Sequence, residues 1–321
     1  MKCTKKQPQV AIWKSRKNEI FHCCMSGNFE SLAASVNAYA TFLYEHNFDY
    51  CFVSSEGLHN LEGVKVLIMP SCYYLTSDEV EAVTEWVSKG GVLLNEAHMG
   101  AYNGDIGRHN EVMPGFGLDE KWDVREIESV STFRLKTEQE EGIDNMTLES
   151  DVKKMLRDFG TAGGKYVPLA LNGNGVIWGT LRYAKLQVGE KAVPLAYFDS
   201  EMPSIVKLTS GRGAVYYCGT HIGEGSLKDA TGFNKFMCEL MKGAGVAHTL
   251  DSETHRLRIE TLYENNQLKF FVVRNVSESS VASNLNFEGA AKGLFSGMEI
   301  LKGQEVLFPQ NFCDIFIVND K

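Results

Sequence analysis

Four sets of residues in this chain of 321 have the types and spacing to do chemistry. Cys72 follows an apolar run, Val64–Met69, and Thr220-His221-Ile222-Gly223-Glu224 follows another. If the fold brings those run ends together, a thiol, an imidazole and a carboxylate meet. Hydrolysis by such a set needs a thiolate on a strained turn, amides for the oxyanion and a histidine oriented by an acid. Glu96 and His98 alternate off the end of a third run, Val92–Leu94, and could form an acid–base or metal pair. A pair alone is fewer than the three or four ligands a metal site uses, so no metal is expected. Gly100, Gly104 and Gly107 are spaced loosely like a phosphate-holding loop, but no Lys-Ser/Thr pair or helix start follows them. Gly211-Arg212-Gly213 could hold an anion, and reads more simply as a hairpin turn.

Each set also has a plain structural reading. Cys72 can be a buried thiol beside a loop histidine, Glu96 and His98 can bond backbone amides, and the glycines can form a flexible loop. Tyr73, Tyr74, Tyr102, Phe116, Trp122 and Trp178 could stack on sugars or anchor a subunit interface, where aromatics are enriched. Ordinary core packing uses the same residues.

The elements that would position these residues alternate over residues 1–100. Val10–Trp13 reads as a short buried strand. Ser31 opens a helix whose apolar positions Leu32, Val36, Tyr39, Ala40 and Leu43 recur at three- and four-residue spacing. Strands are predicted at Phe48–Val53, Val64–Met69 and Val92–Leu94. Between the last two, Thr76-Ser77-Asp78-Glu79 is a capping box that starts a helix ending at Gly90-Gly91. Strand–helix repetition with short connections predicts a parallel sheet covered by helices, with ligands at the carboxyl ends of its strands. Those ends carry Ser71 and Cys72, and Glu96 and His98.

Residues 100–117 read as irregular, and a helix is predicted near Thr147–Phe159. Strands follow at Val176–Val188, Val193–Phe198, Ile205–Leu208 and Ala214–Cys218, then a helix at Phe233–Lys242. Gly243 to Glu253 reads as a linker. Beyond it come His255–Tyr263, Leu268–Asn275, Val281–Phe287, Lys292–Phe295, Glu305–Phe308 and Phe312–Val318, the pattern of a small antiparallel sandwich.

Composition narrows the function classes. Hydrophobic residues at 44% and charged residues at 23% are ordinary for a soluble globular protein. A net charge of −9 without a basic stripe argues against nucleic acid and anionic membrane as partners. The eight cysteines form no Cys-x-x-Cys pair, and Cys51, Cys218 and Cys313 sit in apolar runs, which predicts reduced thiols and a cytoplasmic setting. No apolar run is long enough for a membrane span, and no signal peptide is expected. Acidic residues are plentiful, but no eightfold strand–helix array exists to present paired carboxylates to a sugar.

The order of elements resembles an amidotransferase-like, flavodoxin-like α/β domain. In such a domain the turn after Val92–Leu94 would carry a nucleophilic cysteine; here it carries Glu96, Ala97 and His98. Glu224 also stands one residue too far from His221 to match a His-Pro-Glu closure. More specifically, the chain resembles the region after the catalytic barrel in the family 42 glycoside hydrolases, the bacterial β-galactosidases. The matching pieces are the helix Leu32–His46 with Phe48-Asp49-Tyr50, Gly63–Pro70, Val87–Leu94, the Gly100–Gly117 loop, Pro203–Val206 and Gly211–Thr220. The last 70 or so residues resemble that family's C-terminal sandwich, with Phe271–Asn275 as its central strand.

The resemblance implies an amidotransferase-like fold without that activity, which builds a trimer. It places both catalytic glutamates in the barrel, so no catalytic residue and no cofactor are expected here. The expectation is therefore an α/β domain over 1–245, mostly parallel with helices on both faces, and an antiparallel β-sandwich over 254–321. Together they would act as a non-catalytic homotrimerising region, partnered by copies of itself and by a catalytic barrel or a galactoside. The alternatives are an amidotransferase-like hydrolase using Cys72 with His221 or Glu96 with His98, and a carbohydrate-binding module.

Overall fold

A computed structural model describes residues 3–132, 165–172, 175–198, 203–252 and 254–319. The helix expected near Thr147–Phe159 lies outside them. The chain divides into two compact units that interleave in sequence. One is Ala11–Tyr39 with Phe52–Ala244, the other Met1–Val10, Ala40–Cys51 and Gly245–Lys321.

The first unit holds nearly all of a nine-stranded sheet. Its apolar runs are β1 (Val10–Trp13), β2 (Tyr50–Val53), β3 (Val66–Met69) and β5 (Val92–Asn95). Every residue of β1 and β3 is buried, which is why they read as continuous hydrophobic runs. The later strands are β9 (Tyr166–Leu171), β10 (Val176–Thr180), β12 (Val193–Tyr197), β13 (Pro203–Ser210) and β14 (Gly213–Cys218). The order across the sheet is β10-β9-β12-β13-β14-β5-β3-β1-β2.

β5 runs parallel to both β3 and β14, whereas β14–β13, β13–β12, β12–β9 and β9–β10 are antiparallel. The sheet is thus mixed, where a mostly parallel one was expected. The reason is local: Gly211 takes φ 60 in a tight turn that folds β13 straight back onto β14, so no crossover separates them. Gly211 also lies against the Ser88 backbone, where a Cβ would come within 2.6 Å of the carbonyl oxygen.

The expected run Val176–Val188 is two strands, broken at Leu181 with φ 64. Its second part, β11 (Arg182–Val188), pairs with β8 (Val124–Ser131) as a separate ribbon. Residues 100–117 are not simply irregular. β6 (Tyr102–Asn103) and β7 (Arg108–His109) join β4 (Tyr74–Leu75) in a small sheet, beneath stacked Tyr74 and Tyr102 with Phe21 4.9 Å from the Tyr102 ring.

Helix α1 (Arg16–Ser26) carries no apolar period, because its buried residues are Asn18 and His22. α2 (Glu30–Glu45) and α3 (Ser77–Ser88) fall where expected, and α3 has both halves of the Thr76–Glu79 capping box. α4 (Leu118–Trp122), α5 (Ile222–Gly225) and α6 (Thr231–Gly243) complete the helices used below.

The second unit holds the antiparallel strands. β15 (Leu257–Glu264), β16 (Gln267–Asn275), β21 (Cys313–Asn319), β18 (Ala290–Gly293) and β19 (Glu299–Leu301) form one sheet, and β17 (Val281–Asn284) pairs with β20 (Glu305–Phe308). Their core centres on Phe271, stacked on Phe316 at 5.0 Å, with Leu257, Leu285, Ile300 and Phe308 around it. Met1–Val10 and Ala40–Cys51 belong here for a hydrogen-bonding reason. Thr4 pairs with Tyr263, and the Asn47 amide donates to the carbonyls of Thr254 and Leu257 while its oxygen accepts from Ile259.

None of the eight cysteines is in a disulfide. Cys313 departs from the expectation of a packed thiol, since it opens β21 on the exposed side.

Candidate functional site

The parallel register sets the site. Asn95 is level with Met69 on one side and Tyr217 on the other, so residues 70–73, 96–98 and 218–221 leave the sheet side by side. Two of these turns contain non-glycine residues at positive φ, Ser71 at 44 and His98 at 64. Such conformations cost energy and persist only where neighbours hold them.

Glu96 is the anchor of the first turn. It is fully buried, and its two oxygens accept five hydrogen bonds. Oε2 takes the Ser71 amide at 3.0 Å and hydroxyl at 3.2 Å; Oε1 takes the Gly223 amide at 2.8 Å, Tyr39 Oη at 3.1 Å and Ser35 Oγ at 3.4 Å. Burial pushes its pKa above the ordinary carboxylate value, opposed by those same hydrogen bonds. The Ser71 carbonyl in turn meets Asn18 Nδ2 at 3.1 Å and His22 Nε2 at 3.0 Å. This explains the polar buried face of α1.

His98 is held by a different acid. Its amide donates to Glu126 Oε1 at 2.7 Å and its Nδ1 lies 2.6 Å from Glu126 Oε2, while Tyr217 Oη also donates to Oε1 at 2.7 Å. Burial raises the Glu126 carboxyl, but the His98 hydrogen bond and charge, the His98 amide and Tyr217 together bring it below its ordinary value. His98 Nε2 faces Ser129 Oγ at 3.2 Å. Glu126 and Ser129 are three residues apart on β8, a spacing that normally points side chains to opposite faces. A bulge at Ile127, the extra residue between Glu126↔Leu186 and Glu128↔Lys185, restores them to one side.

His221 pairs with neither Cys72 nor Glu224. Its Nε2 meets Tyr73 Oη at 3.1 Å, and its fully buried Nδ1 has no hydrogen-bond partner among the described residues. Burial, then the nearby His98 and His22, hold its pKa well below the ordinary histidine value. The Tyr73 ring is 5.7 Å from that of His98 and 5.6 Å from that of His221. Glu224 turns to Lys165, 3.1 Å away. Cys72 is fully buried, and burial with the Glu96 charge pushes its thiol up, away from a thiolate.

Cys72, Glu96, His98 and His221 do converge at the strand ends, but Glu96, His98 and His221 bond to residues other than their expected mates, and Cys72 is sealed in the core. Tyr73 was singled out only for its ring and Ser71 only as a strand-end residue, and Glu126, Ser129 and Tyr217 carried no signal. Gly100 and Gly107 take positive φ in the β4–β6–β7 region, and Gly104 lies against the Tyr74 ring. Among the described residues no group of three or more His, Cys, Asp or Glu side chains is arranged to hold a metal, and no helix is long and apolar enough to cross a membrane.

No protein-family model matches the sequence, and no curated protein matches it. Solved structures do. A β-galactosidase from Bacillus circulans sp. alkalophilus superposes with a TM-score of 0.71 at 16% identity, over 97% of this chain and 41% of its own. Gan42B, a GH42 β-galactosidase from G. stearothermophilus, gives 0.71 at 16% over 98% and 40%. The enzyme from the haloarchaeon Halorubrum lacusprofundi gives 0.63 at 14% over 99% and 41%. The chain therefore spans about two fifths of the length of the β-galactosidases it matches, and it has the fold of a part of a GH42 β-galactosidase, as its sequence resemblance implies.

Proposed function

We propose that this chain is a non-catalytic oligomerisation and accessory region of a β-galactosidase-like glycoside hydrolase, active in carbohydrate metabolism in the cytoplasm. The observation that carries the reading is the extent of the fold match: nearly all of this chain against about 40% of each β-galactosidase. Its partners are further copies of itself, as a homotrimer, and a catalytic barrel that supplies the sugar chemistry. The nine-stranded unit is an amidotransferase-like domain whose strand-end carboxylate, Glu96, is committed to structure. The division proposed along the chain is 1–245 for that domain and 254–321 for the sandwich.

The hydrogen bonding of Glu96 supports this reading. A carboxylate with all its acceptor positions facing protein donors is poorly placed to act on substrate. Light scattering over a range of concentrations tests the proposal. A mass near three times 35.8 kDa with no galactoside hydrolysis is expected. A monomer throughout, or galactoside hydrolysis by the chain alone, would overturn it.

A further inference from the structure

The contacts of His98 go beyond an accessory role. A hydroxyl, an imidazole and a buried carboxylate stand in line: Ser129 Oγ to His98 Nε2 at 3.2 Å, and His98 Nδ1 to Glu126 Oε2 at 2.6 Å. Glu126 Oε1 is occupied by the His98 amide and Tyr217 Oη, which fixes both carboxylate and ring. With the Nδ1 proton directed at Glu126, Nε2 presents its lone pair to the serine hydroxyl. This is the arrangement that activates a serine as nucleophile. The Glu126 side chain is 1% exposed and that of His98 14%, while Ser129 is half-buried. The acid is sealed, whereas the histidine and the serine are each only partly buried. Tyr73 backs the His98 ring.

We propose that Ser129, His98 and Glu126 form a hydrolytic site for small acyl esters, with Ser129 as nucleophile, His98 as general base and Glu126 as the residue that positions it. The small size follows from the partial burial of Ser129 and His98, and Ala184, buried and directly opposite Ser129 across the β8–β11 ladder, leaves room beside the hydroxyl for the acyl group. Cross-strand partners share a face, so a methyl group is the serine's neighbour.

Ser129 Oγ bonds to the acyl carbon as its proton passes to His98 Nε2. The acyl C–O bond then breaks, and the departing alcohol takes that proton. Water attacks the acyl-serine and gives a proton to His98. Collapse releases the carboxylic acid and returns the proton to Ser129.

The test uses the full chain with a fluorophosphonate probe, peptide mapping and p-nitrophenyl acetate turnover. Labelling at Ser129 is expected, and Ser129→Ala should abolish it and lower turnover by up to about 10⁶-fold without changing the thermal midpoint. Ser129→Cys should give a thiol alkylated faster than exposed Cys24, because a neighbouring histidine favours thiolate. Glu126→Gln should change the pH profile of turnover, which a purely structural role would not. No label on Ser129, or turnover unchanged in Ser129→Ala, would overturn the assignment. Neither result bears on the oligomeric mass, so this site and the proposed accessory role fail separately.

Discussion

Glu96 Oε1 accepts the backbone amide of Gly223 at 2.8 Å, tying the end of β5 to the first turn of α5 beyond β14. The carboxylate reaches in the other direction to Ser71 beyond β3. One side chain thus clamps three adjacent strand ends. Gly223 is required there because a Cβ would stand 2.7 Å from the Tyr39 ring and 3.0 Å from Ser35 Cα.

Replacing Glu96 by Gln should therefore destabilise the protein despite removing a buried charge. Gln presents one carbonyl oxygen and one amide nitrogen, so one set of N–H and O–H donors would face another donor. Each buried donor left without an acceptor costs about 1–3 kcal/mol. Urea denaturation should show a lower midpoint for Glu96→Gln; an unchanged midpoint would mean that the clamp does not hold the strand ends.

Acid should weaken this region through His221. Its folded pKa is depressed by burial and by His98 and His22, and Tyr73, Thr180 and Arg182 also face it. The folded state therefore resists protonation that the unfolded chain accepts. The stability contribution is fully present above the unfolded value, about 6.5, and is lost as pH falls below it. His22, also depressed by burial, acts in the same direction. Thermal midpoints measured from pH 7.5 to 5 should decline, and His221→Asn should flatten that decline. A parallel decline in the variant would assign the effect to other groups.

How much of this was legible in the sequence depends on what each element buries. β1 and β3 were plain because every residue is apolar and buried. The Thr76 capping box was plain because it is local. α1 was hidden because Asn18 and His22 fill its inner face, and their partner, the Ser71 carbonyl, is 53 and 49 residues away. The site followed the same division. Strand ends pointed to Cys72, Glu96, His98 and His221, but no period could pair His98 with Glu126 and Ser129. Their common face depends on the bulge at Ile127, which interrupts the alternation a reader would look for.

The thiols should sort by burial. Cys24 and Cys313 are exposed, whereas Cys72 and Cys218 are buried, and burial with the nearby Glu96 charge raises both buried thiols. Alkylation of the native protein should modify Cys24 and Cys313 first and reach Cys72 and Cys218 only on unfolding. Rapid modification of Cys72 in the folded state would instead favour the reading in which it works with His221.

In the sandwich, Phe271 is the residue whose loss should be felt most. It is fully buried, stacked on Phe316 at an interplanar angle of 11° and 5.1 Å from the Phe287 ring. Truncation removes both transfer energy and packing, because the surrounding strands are fixed by their ladders and cannot close the gap. Phe271→Ala should cost about 3–5 kcal/mol, while Leu307→Ala, on the exposed side of β20, should cost little. Equal midpoints for the two variants in urea would mean that Phe271 is not at the centre of this core.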